Sequence, residues 1–118
     1  MVTPIQGDVY WVQFGSPQDS GPAGKRPVVI IQNDLLNRSN IRTTVVVLIT
    51  SNLKLAAVPG NVRLNKGAAN LPKPSVVVVS QIATIDKSRL LEKIGTLDRG
   101  NIAQTVNDCQ RIIRLSTR

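Results

Sequence analysis

Three runs of β-branched residues dominate this chain and decide most of its fold: Pro27-Val-Val-Ile-Ile-Gln-Asn33, Thr43-Thr-Val-Val-Val-Leu-Ile-Thr50 and Ser75-Val-Val-Val-Val-Ser-Gln-Ile82. Each is too short for a typical helix and is apolar at nearly every position rather than at alternate ones. That pattern predicts strands buried on both faces, at the centre of a sheet. Asp8-Val-Tyr-Trp-Val-Gln-Phe14, which ends at the Gly15-Ser-Pro17 breaker, adds a first strand, and Asn61-Val-Arg-Leu64 a shorter one. Gly15 to Lys25 and the Gly-, Asn- and Pro-rich stretch Lys66 to Pro74 read as loops.

Two helical segments follow. Asp86-Lys-Ser-Arg-Leu-Leu-Glu92 opens on a good N-cap residue and predicts a short helix, with Lys93 to Leu97 as a last brief strand. From Asp98, Ile102, Val106, Cys109 and Ile113 recur at helical spacing and predict an amphipathic helix to about Leu115, packed on the sheet. Strands succeed one another without crossover helices. The fold class expected is therefore β-rich α+β: a small, strongly bent sheet, an open β-barrel, with short helices and a C-terminal helix packed on it. At 118 residues, 1–118 fill one domain.

The N-terminus has neither a basic nor an apolar region of the secretory kind, and no apolar run is long enough to span a bilayer. With the lone Cys109 unable to form an internal disulfide, the expectation is a cytoplasmic protein with no membrane partner. Fifteen Lys and Arg against seven Asp and Glu give a net charge of +8. The charge is uneven: Lys25, Arg26, Arg38, Arg42, Lys54, Arg63, Lys66 and Lys73 face Asp34 alone between Ser20 and Ser80. A polyanion is the natural partner of such a stretch, nucleic acid before a membrane surface, since no basic amphipathic helix occurs there.

Several chemistries are excluded by residue type. The chain has no histidine, so neither paired imidazoles nor Ser-His or Cys-His nucleophiles can be built. One cysteine and seven scattered acids predict no metal site, and no phosphate-binding or dinucleotide glycine motif is present, so no cofactor is expected. Tyr10, Trp11 and Phe14 cluster in one strand and read as core and interface residues rather than a base-stacking platform.

What remains centres on Arg26. It precedes Pro27 and is therefore pushed to an extended conformation at the mouth of a strand. If the second and third strands pair antiparallel about Arg38, Thr50 falls directly opposite Arg26, close enough for a guanidinium and a hydroxyl to hold one phosphate. Such a pair suits attack of an RNA 2′-hydroxyl on its own phosphate, because the nucleophile is already in the substrate and the protein need only place and neutralise charge. By themselves, Arg26 also reads as a surface charge and Thr50 as a residue chosen for β propensity.

The segments around them bear on that choice. Gly7-Asp8-Val9-Tyr10-Trp11, Lys25-Arg26-Pro27 through Asp34, Ile49-Thr50-Ser51-Asn52, and Ser80-Gln81-Ile82-Ala83-Thr84-Ile85-Asp86-Lys87 resemble, in order and spacing, the MazF/PemK family of toxin endoribonucleases. The resemblance implies an SH3-like open barrel and a homodimer. It implies a metal-independent endoribonuclease that cuts single-stranded RNA, mRNA included, at a short sequence to leave a cyclic phosphate and a 5′-hydroxyl. It also implies a cognate, acidic, MazE-like antitoxin. The family's catalytic arginine and threonine carry over to Arg26 and Thr50. Gln81, Ser51, Asn52 and Lys54 are candidate RNA contacts, as are Lys25 and Asn33 in the Arg-Pro segment. Departures from the pattern are Gln6 for a basic residue, no glutamate within Ser20 to Gly24, Ser80 for an acid and Ala83 for a frequent arginine. The competing expectations are a non-catalytic RNA-binding barrel and a topoisomerase poison of the related CcdB kind.

Overall fold

The computed structural model describes residues 3–14 and 24–117. Residues 15–23, most of the loop expected from Gly15 to Lys25, lie outside the described residues, as do the first two residues and Arg118. Six strands form one sheet: β1 (Asp8–Gln13), β2 (Lys25–Ile30), β3 (Thr43–Thr50), β4 (Val62–Leu64), β5 (Ser75–Asp86) and β6 (Leu90–Thr96), in the order β4-β5-β3-β2-β1-β6. All its pairings are antiparallel. A helical turn, α1 (Asp34–Asn37), begins the β2–β3 connection, and α2 (Arg99–Ile112) ends the fold.

One connection explains the curvature. In a flat sheet the four spacings from β5 to β6 would set them about 19 Å apart. Yet only Lys87–Arg89, a single 3₁₀ turn, joins Asp86 to Leu90, a reach of at most about 14 Å. The sheet must therefore curl, and Arg89 fastens the seam by donating to the carbonyl oxygen of Gln13. The result is the open barrel expected; β4 and β6 do not pair with each other.

Curling buries both faces of the central strands, which is why their sequences are almost continuously apolar. Val9, Val29, Val47 and Ile49 point into one core, closed by Ile102 and Cys109 of α2 and by Leu71, Ala68 and Ala69 of the β4–β5 connection. The alternate residues Tyr10, Val12, Val28, Ile30 and Val46 point into the second, where Ile85 and Leu90 join them. Each fully buried valine or isoleucine contributes roughly 1.5–3 kcal/mol of transfer free energy.

Two helix expectations are corrected. Asp86 does cap a turn, its carboxylate accepting from the Ser88 N–H at 2.9 Å, but the turn ends at Arg89 and Leu90 to Glu92 are strand. Leu90 pairs with Val12 and is buried in the second core. That tertiary partner outweighs a weak local preference. Correspondingly, the last strand is longer than Lys93 to Leu97. In α2, Asp98 is the cap, accepting from the Asn101 N–H at 2.8 Å. The buried face, however, drifts: Thr105, Asp108 and Cys109 are buried whereas Ile113, beyond the helix end, is 75% exposed.

The closed end of the β2–β3 hairpin is held by a buried polar cluster. Asn37 Oδ1 accepts from Gln32 Nε2 and Thr44 Oγ1, both at 2.9 Å, and its Nδ2 donates to the Gln32 carbonyl at 2.9 Å. Lys87 Nζ donates to the Asn37 carbonyl at 2.8 Å. Above this anchor the register is Ile30↔Val46, Val29↔Val47 and Val28↔Leu48. β5 is broken by a large bulge: Val78 to Gln81 stand opposite Leu48 alone. Asn61 Oδ1 accepts the freed Val79 N–H at 3.1 Å.

Candidate active site

The register of β2 and β3 carries to the open end of the hairpin. The last rung is Val28↔Leu48; continued two residues further, the same register would set Arg26 opposite Thr50, though the two are not paired in the ladder. There the two strands part: Arg26 pairs with Val12 on β1 and Thr50 with Val76 on β5. A cleft of about 330 Å³ opens there, lined by both residues, with Lys25 and Trp11 on one flank and Ser51 beside Thr50. The other flank is Leu71, Pro72 and Lys73 from the strap between β4 and β5.

The lining holds three cations, Lys25, Arg26 and Lys73, and no carboxylate. Arg26 is exposed and forms no ion pair among the described residues, so its donor fork faces solvent. Thr50 Oγ1 accepts from the Asn52 N–H at 3.2 Å, which fixes the oxygen and leaves the hydroxyl hydrogen for a ligand. Lys25 Nζ lies 5.3 Å from the centre of the Trp11 ring, a cation–π contact. The nearest acids in sequence serve elsewhere. Asp34 accepts from the Gln6 N–H at 2.7 Å, and Asp8 pairs with Lys93 at 3.3 Å. Among the described residues, no three His, Cys, Asp or Glu side chains come together to hold a metal ion.

Of the expected site residues, the cleft gathers Arg26, Thr50, Lys25 and Ser51. Asn52 and Lys54 lie just beyond, both exposed: Asn52 caps the Leu53–Ala57 turn, its side chain accepting from the Lys54 N–H at 3.2 Å. Gln81 is exposed on the β5 bulge and does not line the cleft. Asn33 is at the opposite end of β2, its side chain capping α1 by accepting from the Leu35 N–H at 2.7 Å. Trp11 belongs to neither core cluster. Tyr10 is core and Phe14 packs on it, but Trp11 points the other way, half-buried, into the cleft. Strand alternation between Tyr10 and Trp11 carried that signal. Lys73 went unmarked among the basic residues, although its place between Pro72 and Pro74 set it apart.

Fold and site together define an open-barrel protein with a cleft lined by three cations and no carboxylate. The chain matches the model of the PemK-like, MazF-like toxin of type II toxin-antitoxin system over residues 5–113, and it belongs to that family. It is 37% identical over 110 residues to Endoribonuclease MazF6 of Mycobacterium tuberculosis, covering 93% of this chain and 96% of that one. It is 39% identical over 102 residues to Endoribonuclease MazF of Staphylococcus epidermidis, covering 86% and 84%. Among solved structures, a mycobacterial endoribonuclease in complex with its cognate antitoxin superimposes with a TM-score of 0.73 at 21% identity, covering all of both chains. MazE-MazF from Deinococcus radiodurans gives 0.75 at 19% identity, covering 98% of this chain and 100% of that one.

Proposed function

We propose that the chain, taken as a single toxin domain over 1–118, is a metal-independent endoribonuclease that cuts single-stranded RNA at a short sequence. The observation that supports the reading is that Arg26 and Thr50 line one cleft, where β2 and β3 part, together with the cations Lys25 and Lys73. The curated relatives named endoribonucleases, similar over nearly the whole chain, support the activity.

In this reading the 2′-hydroxyl attacks the adjacent phosphorus and the 5′-oxygen leaves, giving a 2′,3′-cyclic phosphate and a 5′-hydroxyl. Arg26 offers two parallel N–H donors to the equatorial oxygens as their charge grows, which selects for the transition state. Thr50, with its oxygen held by the Asn52 N–H, donates its hydrogen to the same phosphate. DNA has no 2′-hydroxyl and is spared. Lys25, Ser51, Asn52 and Lys54 extend the contact along the RNA; Asn33 and Gln81 can join only if RNA, or a second copy of the chain, reaches past the cleft. A homodimer acting in the cytoplasm and silenced by an acidic antitoxin completes the proposal. A net charge of +8 favours such a partner electrostatically.

The test is incubation with a long single-stranded RNA in excess EDTA. Discrete fragments bearing cyclic phosphates are expected, and none from Arg26→Ala. RNA that is bound but intact would reduce the protein to a binding barrel, and trapped gyrase in a DNA-relaxation assay would point to a topoisomerase poison.

A further inference from the structure

We propose that Lys73 is the general acid that protonates the departing 5′-oxygen, a role that rests on the endoribonuclease reading of the cleft. Strand order places β3 between β5 and β2, so the chain leading into β5 and the start of β2 flank the end of β3. Lys73 and Arg26 therefore reach the cleft from opposite sides of Thr50. Val76, which pairs with Thr50, stands two strand spacings from β2, about 10 Å, and Lys73 comes three residues before it in the chain. In-line displacement puts the attacking and leaving oxygens on opposite sides of phosphorus, so groups that serve them must come from different walls.

The strap presents Lys73 in a fixed place. Pro72 and Pro74 lock their own φ angles, and Pro74 pushes Lys73 itself to extended backbone. Ser75 Oγ donates to the Lys73 carbonyl at 2.9 Å, and Leu71 is buried. Farther back, Asn70 Nδ2 donates to the Ile94 carbonyl at 3.2 Å and Ala69 packs directly on Gly95, which ties the strap to β6. The ammonium is the uncommitted part: among the described residues it forms no ion pair. Lys25 differs, since its ammonium lies over Trp11.

The chemistry of the lining narrows the choice. Apart from the two lysines, its side-chain proton carriers are the guanidinium of Arg26, the indole of Trp11 and hydroxyls, all weaker acids than an ammonium. There is neither imidazole nor carboxylic acid to do the work. In the step proposed, the 2′-oxygen–phosphorus bond forms as its proton passes to water, and the phosphorus–5′-oxygen bond breaks as Lys73 Nζ gives that oxygen a proton. The neutral amine regains a proton from water.

The experiment uses the full chain with Lys73→Met, and Lys66→Met on the same strap but outside the cleft lining as a control. The site is first mapped with wild-type protein, then built into oligonucleotides carrying either the natural 5′-oxygen or a bridging 5′-sulfur, whose thiolate leaves without a proton. Lys73→Met is expected to lose about 100-fold or more in single-turnover rate on the oxygen substrate. It should approach wild type on the sulfur substrate, with folding unchanged by circular dichroism. Wild-type rates on oxygen, or an equal loss on both substrates, overturn the assignment while leaving the nuclease intact. RNA untouched by the wild-type protein overturns both.

Discussion

Lys87 sets its ammonium 2.8 Å from the carbonyl oxygen of Asn37, fifty residues earlier in the chain, and so joins the β5–β6 turn to the β2–β3 hairpin. Asn37 is the hub of this cluster, bonded also to Gln32 and Thr44. Asn37→Ala strands several buried polar groups at once. The expected loss is about 2–4 kcal/mol of unfolding free energy, read from urea melts. A change below about 0.5 kcal/mol would mean that water replaces the amide at no cost.

At the open end of the same hairpin, the requirement is for particular atoms rather than charge. Arg26→Lys keeps the charge and loses the planar fork, and is expected to retain less than about 1% of wild-type cleavage. Thr50→Val keeps the shape and loses the hydroxyl, with a similar loss, while Thr50→Ser recovers much of the rate. Cleavage rates on one RNA check all three, and full activity in Thr50→Val removes Thr50 from the reaction.

The strap depends on Gly95, because a Cβ there would run into the backbone of Ala69. Gly95→Ala must push the strap away from β6, costing about 1–3 kcal/mol as overpacking usually does. Cleavage should fall further than the loss of folded protein explains, since Lys73 moves with the strap. A lower melting temperature with unaltered specific activity would separate strap from cleft.

Burial pushes the Cys109 thiol up, aided by Asp108, and burial with Asp8 does the same to the Tyr10 phenol. The fold thus favours both neutral forms. Their contribution is fully present below the ordinary thiol and phenol ranges and is lost as pH rises through the raised values. Urea midpoints should fall between about pH 8 and 11. In native protein at pH 8, Cys109 should react with a disulfide reagent only as fast as the chain opens. Immediate labelling would place the thiol at the surface.

Much of this architecture is legible in the sequence because it rests on local patterns. Thr43 to Thr50 is β3 residue for residue, and symmetry about Arg38 matches the hairpin register from Ile30↔Val46 to Val28↔Leu48. Asp98 announces α2. What stayed hidden depends on partners far along the chain. Leu90 to Glu92 have a helical look but pair with β1. The β5 bulge relies on Asn61, eighteen residues earlier. Asn33 stands next to the Arg-Pro segment in sequence, yet β2 carries it to the far end of the hairpin. Lys73 belongs to the cleft only because its strap is pinned to β6.

The turn that curls the sheet leaves two strands without an outer neighbour, and each is poorly suited to recruiting one. β4 spans only Val62–Leu64, with Arg63 exposed, while β6 carries exposed Glu92 and Lys93 and is overlain near Gly95 by the Ala69 turn. Neither offers another chain a long, flat, apolar margin to stack upon. The consequence expected is colloidal: short or charged edges disfavour the edge-to-edge stacking by which a valine-rich sheet would grow into fibrils.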